Sequence, residues 1–198
     1  MVDIQEVLEA EEPSGPEQLE PVRLGEEPSL LMLFTSDGER ARLHFEPDSA
    51  VNGYLPCPGE GCPLCFLGQS PKDFALLPVL NLEKRAVEVL RISTRRGPGT
   101  LAAGLLPHLR DEAIENEVFS ISRVGAKFRV EVRPLGERAD RCTGVIEAFL
   151  RARGEGLSLL SAFAEYTAAE LAEIERVRLK LDAVGGWTPP SGAGDVPR

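Results

Sequence analysis

"HFEPDSAVNGYLPCPGEGCPLC", residues His44–Cys65, holds three of the chain's four cysteines and one of its two histidines. Cys57, Cys62 and Cys65 stand at ligand spacing, Cys-x4-Cys-x2-Cys. The Cys62-Pro-Leu-Cys65 knuckle turns two thiolates toward one point, and Gly59 and Gly61 let the backbone bend around it. Zinc takes four ligands in a tetrahedron, so three thiolates leave one vacancy. His44, ending an alternating segment just before the loop, is the best candidate for it. His108 and Cys142 are the other options, both distant in sequence, and Cys142 suits a small buried residue better. With four protein ligands the site is closed: it leaves no position for water and is structural rather than catalytic. Such a site would stabilise a loop with little apolar content of its own.

Working outward, Ser29–Thr35 (SLLMLFT) reads as a buried strand, followed by the turn residues of SDGE. In Arg40–Phe45 the residues alternate, which predicts Ala41, Leu43 and Phe45 on the core face and Arg40, Arg42 and His44 on the other. Beyond the loop, Phe74–Leu82 and Ala86–Ser93 read as one hairpin, and Glu117–Arg123 with Lys127–Arg133 as a second. Between them Thr100 is placed to cap a short helix that Pro107 interrupts. Thr143–Arg153 reads as a helix. From Leu157 to Val184 apolar residues recur with helical period, and Thr167-Ala-Ala-Glu170 has capping-box spacing, which marks a joint.

The strand and helix inventory predicts a mainly β (α+β) chain: an OB-fold-like five-stranded barrel with an inserted zinc loop and appended C-terminal helices. An α+β sandwich has the same inventory. The expected division is an acidic, flexible arm at 1–28, a core at 29–153 with its zinc subdomain at 44–66, a helical extension at 154–184 and a flexible tail at 185–198.

The net charge of −10 is concentrated at one end. Residues 1–29 carry nine acids and one base, residues 30–150 carry 16 and 15, and residues 151–198 carry seven and six. The body is therefore nearly neutral, which argues against very tight phosphate-driven binding. The start, MVDIQEVLEAEEP, lacks the basic and apolar regions of a secretory leader. No apolar run approaches the ~20 residues of a membrane helix. The expectation is a cytoplasmic protein without a membrane partner, whose cysteines bind metal rather than form disulfides.

The order His44-x12-Cys57, a short loop, then Cys62-x2-Cys65 resembles the single-stranded-DNA-binding proteins of T-even-type phages. "FALLPVLNLEKRAVEVLRIS" and "FSISRVGAKFRVEVRP" resemble that family's hairpins, so the likeness spans roughly residues 30–135. It implies an OB-fold with a zinc subdomain held by one histidine and three cysteines, here His44, Cys57, Cys62 and Cys65. It also implies single-stranded DNA as the partner. The chain departs from the family in a shorter Cys57–Cys62 loop and in an acidic N-terminal arm where the phage proteins have a basic one.

A single-strand binder needs cations along a groove and aromatic faces for stacking. Candidate phosphate contacts are Arg40, Arg42, Lys72, Arg91, Arg95, Arg96, Arg123, Lys127 and Arg129. Tyr54 and Phe66, flanking the cysteines, are candidate stacking rings, while Phe74 and Phe128 fit the core better. No enzyme is expected, because RRGPGT lacks the ending of a phosphate loop and no paired-carboxylate motif stands out. The rival expectation is a zinc-stabilised protein adaptor. It would act through the apolar face of the C-terminal stretch or through the acidic arm, with Trp187 as an anchor.

Overall fold

The computed structural model describes residues 19–47, 53–95, 97–109, 117–134 and 142–188. The chain is mixed α/β and divides into two compact units. One comprises 1–39 and 75–162, the other 40–74 and 163–198. This partition joins the cysteine loop to the C-terminal helices, whereas the sequence pattern sets those helices apart as an extension.

The first unit is built on a sheet. Its strands are β1 (Glu20–Pro21), β2 (Ser29–Met32), most of β5 (Lys72–Asn81), β6 (Ala86–Ser93), β7 (Glu117–Val124) and β8 (Lys127–Pro134), in the order β1-β6-β5-β2-β7-β8. The β7–β8 register runs from Glu117↔Pro134 to Val124↔Lys127 around a turn at Gly125, whose φ of 61° suits glycine. β2 lies antiparallel between β5 and β7. Leu31, Val79, Leu90, Phe119 and Ile121 are nearly or wholly buried and form the centre of the core. Phe128, Val130 and Val132 pack against it from β8, so Phe128 is a core residue.

The strand inventory predicts a closed barrel of five strands, but among the described residues the sheet is open and no ladder joins β8 to β1. Helix α2 (Leu101–Leu105) explains how the open sheet keeps a dry interior. It packs against both β6 and β8, strands far apart along the path, and buries Leu101, Ala102 and Leu105. Thr100 caps it, accepting a hydrogen bond from the Ala103 N–H at 3.2 Å. A Cβ on Gly104 would meet Val130 Cγ2 at 2.6 Å, so the helix approaches β8 this closely only because that residue is glycine.

One end of this unit is tied by Glu39. Its carboxylate accepts hydrogen bonds from the Leu159 N–H at 3.0 Å, from Ser158 Oγ at 2.9 Å, and from Arg153 at the end of helix α3 (Thr143–Gly154). Burial alone would push this carboxyl up, but the bonds from Leu159, Arg153 and Ser158 outweigh it and hold the group below its usual value. Phe149 of α3 is fully buried and meets the Phe34 ring edge-on at 5.7 Å.

β1 falls in the stretch expected to be a flexible arm. Leu19 is buried, and Glu20 and Pro21 pair in parallel with Glu88 and Val89 of β6. The rest of the acidic arm, residues 1–18, lies outside the described residues.

The second unit contains β3 (Glu39–Glu46, from Arg40 onward), β4 (Gly53–Pro56) and the first three residues of β5. Three short helices complete it: α1 (Pro63–Phe66), α4 (Ala168–Glu173) and α5 (Glu175–Ala183). β3 and β4 form an antiparallel ladder from Leu43↔Pro56 to Glu46↔Gly53. Thr167 starts α4 with a complete capping box, in which the Glu170 N–H donates to Thr167 Oγ1 and the Thr167 N–H to Glu170 Oε2. The core joins Leu55, Cys62 and Leu64 to Leu171, Ile174, Val177 and Leu181, and Trp187 packs against it. The apolar face of the C-terminal stretch is therefore occupied within its own unit.

Candidate metal centre

The second unit brings His44, Cys57, Cys62 and Cys65 together from three local structures. His44 sits on β3, where the backbone alternation turns it away from Leu43; it is 1% exposed. Cys57 follows β4, and its N–H donates to the Arg42 carbonyl at 2.9 Å, which holds the start of the loop against β3. Gly59 and Gly61 adopt φ of 87° and 72°, left-handed conformations that reverse the chain toward Cys62. Cys62 precedes α1, Pro63 occupies its first turn, and Cys65 follows one turn later.

The four ligand atoms all lie within 4.8 Å of one another. His44 Nε2 is 3.4 Å from Cys62 Sγ and 3.5 Å from Cys65 Sγ, and Cys57 Sγ is 3.8 Å from Cys65 Sγ. Three thiols and an imidazole converging on one point can hold a metal ion. His108 and Cys142, the alternative fourth ligands, both belong to the first unit. His108 lies 3.3 Å from a carboxylate oxygen of Glu117, and Cys142 is buried.

The surroundings set the protonation of the donors. Burial, then the nearby Arg42 charge, pushes His44 below its ordinary value, which favours the neutral imidazole that ligates metals. Burial pushes the Cys62 thiol up to about 12, with the charges of Cys57 and Cys65 acting in the same direction. Cys65 is raised by burial and by Cys57, against an opposing pull from Arg42. The cluster therefore favours neutral thiols on its own, and a bound cation must displace their protons.

The remaining candidate residues divide between the two units. Arg40, Arg42, Tyr54, Phe66 and Lys72 belong to the second, and Arg91, Arg95, Arg123, Lys127 and Arg129 to the first. Arg40 and Arg42 are exposed on β3, and Lys72 is exposed at the start of β5. Phe66 is 56% exposed beside the ligands, and a shallow pocket of about 690 Å³ opens between it, the Gly59–Cys62 loop and Trp187. Arg91 is half-buried and Arg95 exposed, while Arg96 lies outside the described residues. Arg123 is exposed but its Nε donates to the Gly125 carbonyl, and Arg129 pairs with Glu131 at 2.6 Å. Lys127 is exposed at the same hairpin turn.

Two residues of this unit escape the sequence pattern. Phe45 is 52% exposed rather than buried with Ala41 and Leu43, and Glu46 is completely buried. Phe45 stands one residue from the end of β3, while Glu46, on the His44 side, is met by Arg176 and Lys180 of α5. No helix among the described residues is long and apolar enough to cross a membrane. No protein-family model, curated protein or solved structure matches the chain.

Proposed function

We propose that this protein binds single-stranded nucleic acid, DNA in the first instance, and that a structural zinc ion holds the binding unit together. The distances within the ligand set carry the zinc assignment. A tetrahedral zinc with its usual bond lengths has S···S edges of about 3.8 Å and N···S edges of about 3.6 Å. Three of the six edges match, at 3.8 Å for Cys57–Cys65 and 3.4 and 3.5 Å for His44 to Cys62 and Cys65, and all six lie within 4.8 Å. These four ligands stand in the order of the phage single-stranded-DNA-binding proteins that the sequence resembles, and that likeness supports the choice of ligand. With all four positions filled by protein, the metal performs no chemistry and the protein's work is binding.

In this reading Arg40, Arg42 and Lys72, exposed on the second unit, are phosphate contacts, and the aromatic residues near the candidate metal centre are the stacking surfaces. The adaptor reading is the weaker one. Its route through the C-terminal helices needs a free apolar face, and Leu171, Val177 and Leu181 of that face are buried in the unit's own core.

The test is fluorescence anisotropy of a labelled single-stranded oligonucleotide titrated with zinc-loaded protein at low and moderate salt, with duplex as control. Binding should prefer the single strand and weaken with salt by a slope of about −0.7 per phosphate contacted. Absence of binding at low salt, or equal affinity for duplex, would end this reading.

A further inference from the structure

We infer that the outer face of the β3–β4 hairpin is a base-stacking platform, on which Phe45 and Tyr54 carry one nucleobase and Lys72 meets its phosphate. This assignment rests on the single-strand-binding reading above and gives it a specific contact.

Phe45 breaks the burial rule of its own strand. Ala41 and Leu43, on the same face, are 6% and 1% exposed, yet the Phe45 ring is 52% exposed. Leaving so large an apolar ring in water forgoes much of the stabilisation that its burial would give. The ring is nevertheless held in place. Tyr54 stands directly opposite it in the ladder, with ring centroids 5.0 Å apart and a tilt of 57°. Tyr54 in turn meets Phe74 edge-on at 5.3 Å, and Phe74 is buried. An exposed ring is thus braced through a half-buried ring to a buried one, which limits the entropy lost when a flat ligand stacks on it.

Lys72 supplies a cation on the same strand face as the buried ring of this stack. It precedes Phe74 by two residues on β5, so its side chain leaves the strand on the face that carries Phe74 and Tyr54. It is exposed, and none of the ion pairs among the described residues involves it. Arg123 and Arg129, by contrast, are already engaged by Gly125 and Glu131.

The size of the patch selects its occupant. A stable protein interface covers roughly 800 Å² on each partner, with an apolar centre. Among the described residues the patch is one half-exposed ring and its half-buried neighbour, with a lysine on the same face of β5. That surface matches one aromatic heterocycle and one phosphate, and stacking on it tolerates any base because every base has a π-face.

The test compares wild type, Phe45→Ala, Phe45→Leu and Phe45→Trp, all zinc-loaded and matched for metal content. The probe is a labelled deoxythymidine oligonucleotide of about 16 nucleotides, the upper end of what one single-strand-binding module covers. Phe45→Ala should bind roughly 5- to 150-fold more weakly, the range of one lost stacking contact. Phe45→Leu keeps an apolar partner for Tyr54 and guards against a folding defect; it should be weakened similarly, while Phe45→Trp should bind at least as well as wild type. Wild-type binding with unchanged affinity in both Phe45→Ala and Phe45→Leu overturns the platform and leaves the single-strand reading standing. If wild type itself does not bind, both fall together.

Discussion

Among the described residues the first unit buries 24 apolar side chains and the second twelve, one of them the candidate ligand Cys62. The difference follows from where the chain spends its apolar residues. In the first unit β5 from Ala75 onward and β6 are near-continuous apolar runs, ALLPVLN and AVEVLRIS, which a sheet covered on both faces can bury. In the second, the loop from Gly53 to Phe66 offers little besides Leu55 and Leu64, and α4 and α5 are short. A body this small seldom gains more than about 3–5 kcal/mol from its core alone. Cys62 of the candidate ligand set belongs to that core and Cys57 packs against it, so the expectation is that metal binding and folding are coupled there, while the sheet unit is the reference that should not respond.

The sharpest way to break this comparison is to remove the metal. A structural zinc site contributes an apparent binding free energy of about 10–16 kcal/mol at neutral pH, more than the apolar core of a small body supplies. Excess chelator should therefore abolish hydrogen-exchange protection in β4, α4 and α5 together, while β2, β5 and β7 keep theirs. Mild acid should act in the same direction. The folded unit holds His44 below its ordinary value of 6.5. The unfolded chain therefore takes up the proton first, and the contribution of His44, present above that value, is lost as the pH falls through the lowered one. Protection that survives chelation in the second unit would remove the metal from its folding.

A core substitution in each unit sharpens the contrast. Phe119→Ala, at a fully buried position in β7, should cost about 3–5 kcal/mol and lower the melting temperature of the first unit without altering metal affinity. Leu171→Ala, at a fully buried position of α4, should cost about 2–5 kcal/mol and register as metal affinity weakened at least about tenfold. Competition with a chromophoric chelator measures the affinities, and calorimetry follows the melting. Equal metal affinities in the two variants would mean that the helices and the ligand loop are not one folding unit.

How far these features can be read from sequence differs between the units for the same physical reason. Both hairpins of the sheet unit, the Thr100 cap and the helix from Thr143 are legible, because local periodicity and turn chemistry fix them. The ligand set is legible as well, since His44, Cys57, Cys62 and Cys65 lie within one short stretch and their chemistry is specific. The partnership of the cysteine loop with α4 and α5 is not legible, because it joins segments about a hundred residues apart through ordinary apolar residues. Phe45 was hidden for a related reason: alternation assigns a face, but only the packed structure reveals where the cover over that face ends. The break at Ile174, which separates α4 from α5 with an extended ψ of 122°, carries no glycine or proline to announce it.

Glu46 offers the smallest effect and the finest test of how the second unit is held. Its carboxylate is fully buried between β3 and α5, with Arg176 Nε 3.4 Å from one oxygen and Lys180 Nζ 3.3 Å from the other. The two bases stand four residues apart, on the same side of α5. Oε1 has no hydrogen-bond partner, so its attraction to Arg176 is charge without a well-aligned bond. The bases keep substantial contact with water, with side chains 51% and 33% exposed, which screens the pair and lets them rehydrate if the acid is lost. Glu46→Gln should therefore cost only about 1–2 kcal/mol, read as a shift in the urea midpoint of the second unit with the sheet unit unchanged. Glu46→Leu should cost less than that, because an apolar side chain of similar size needs no partner in a buried site. If Leu proves worse than Gln, the buried charge itself contributes net stability to the seating of α5, and ion pairing is a support of this unit in its own right.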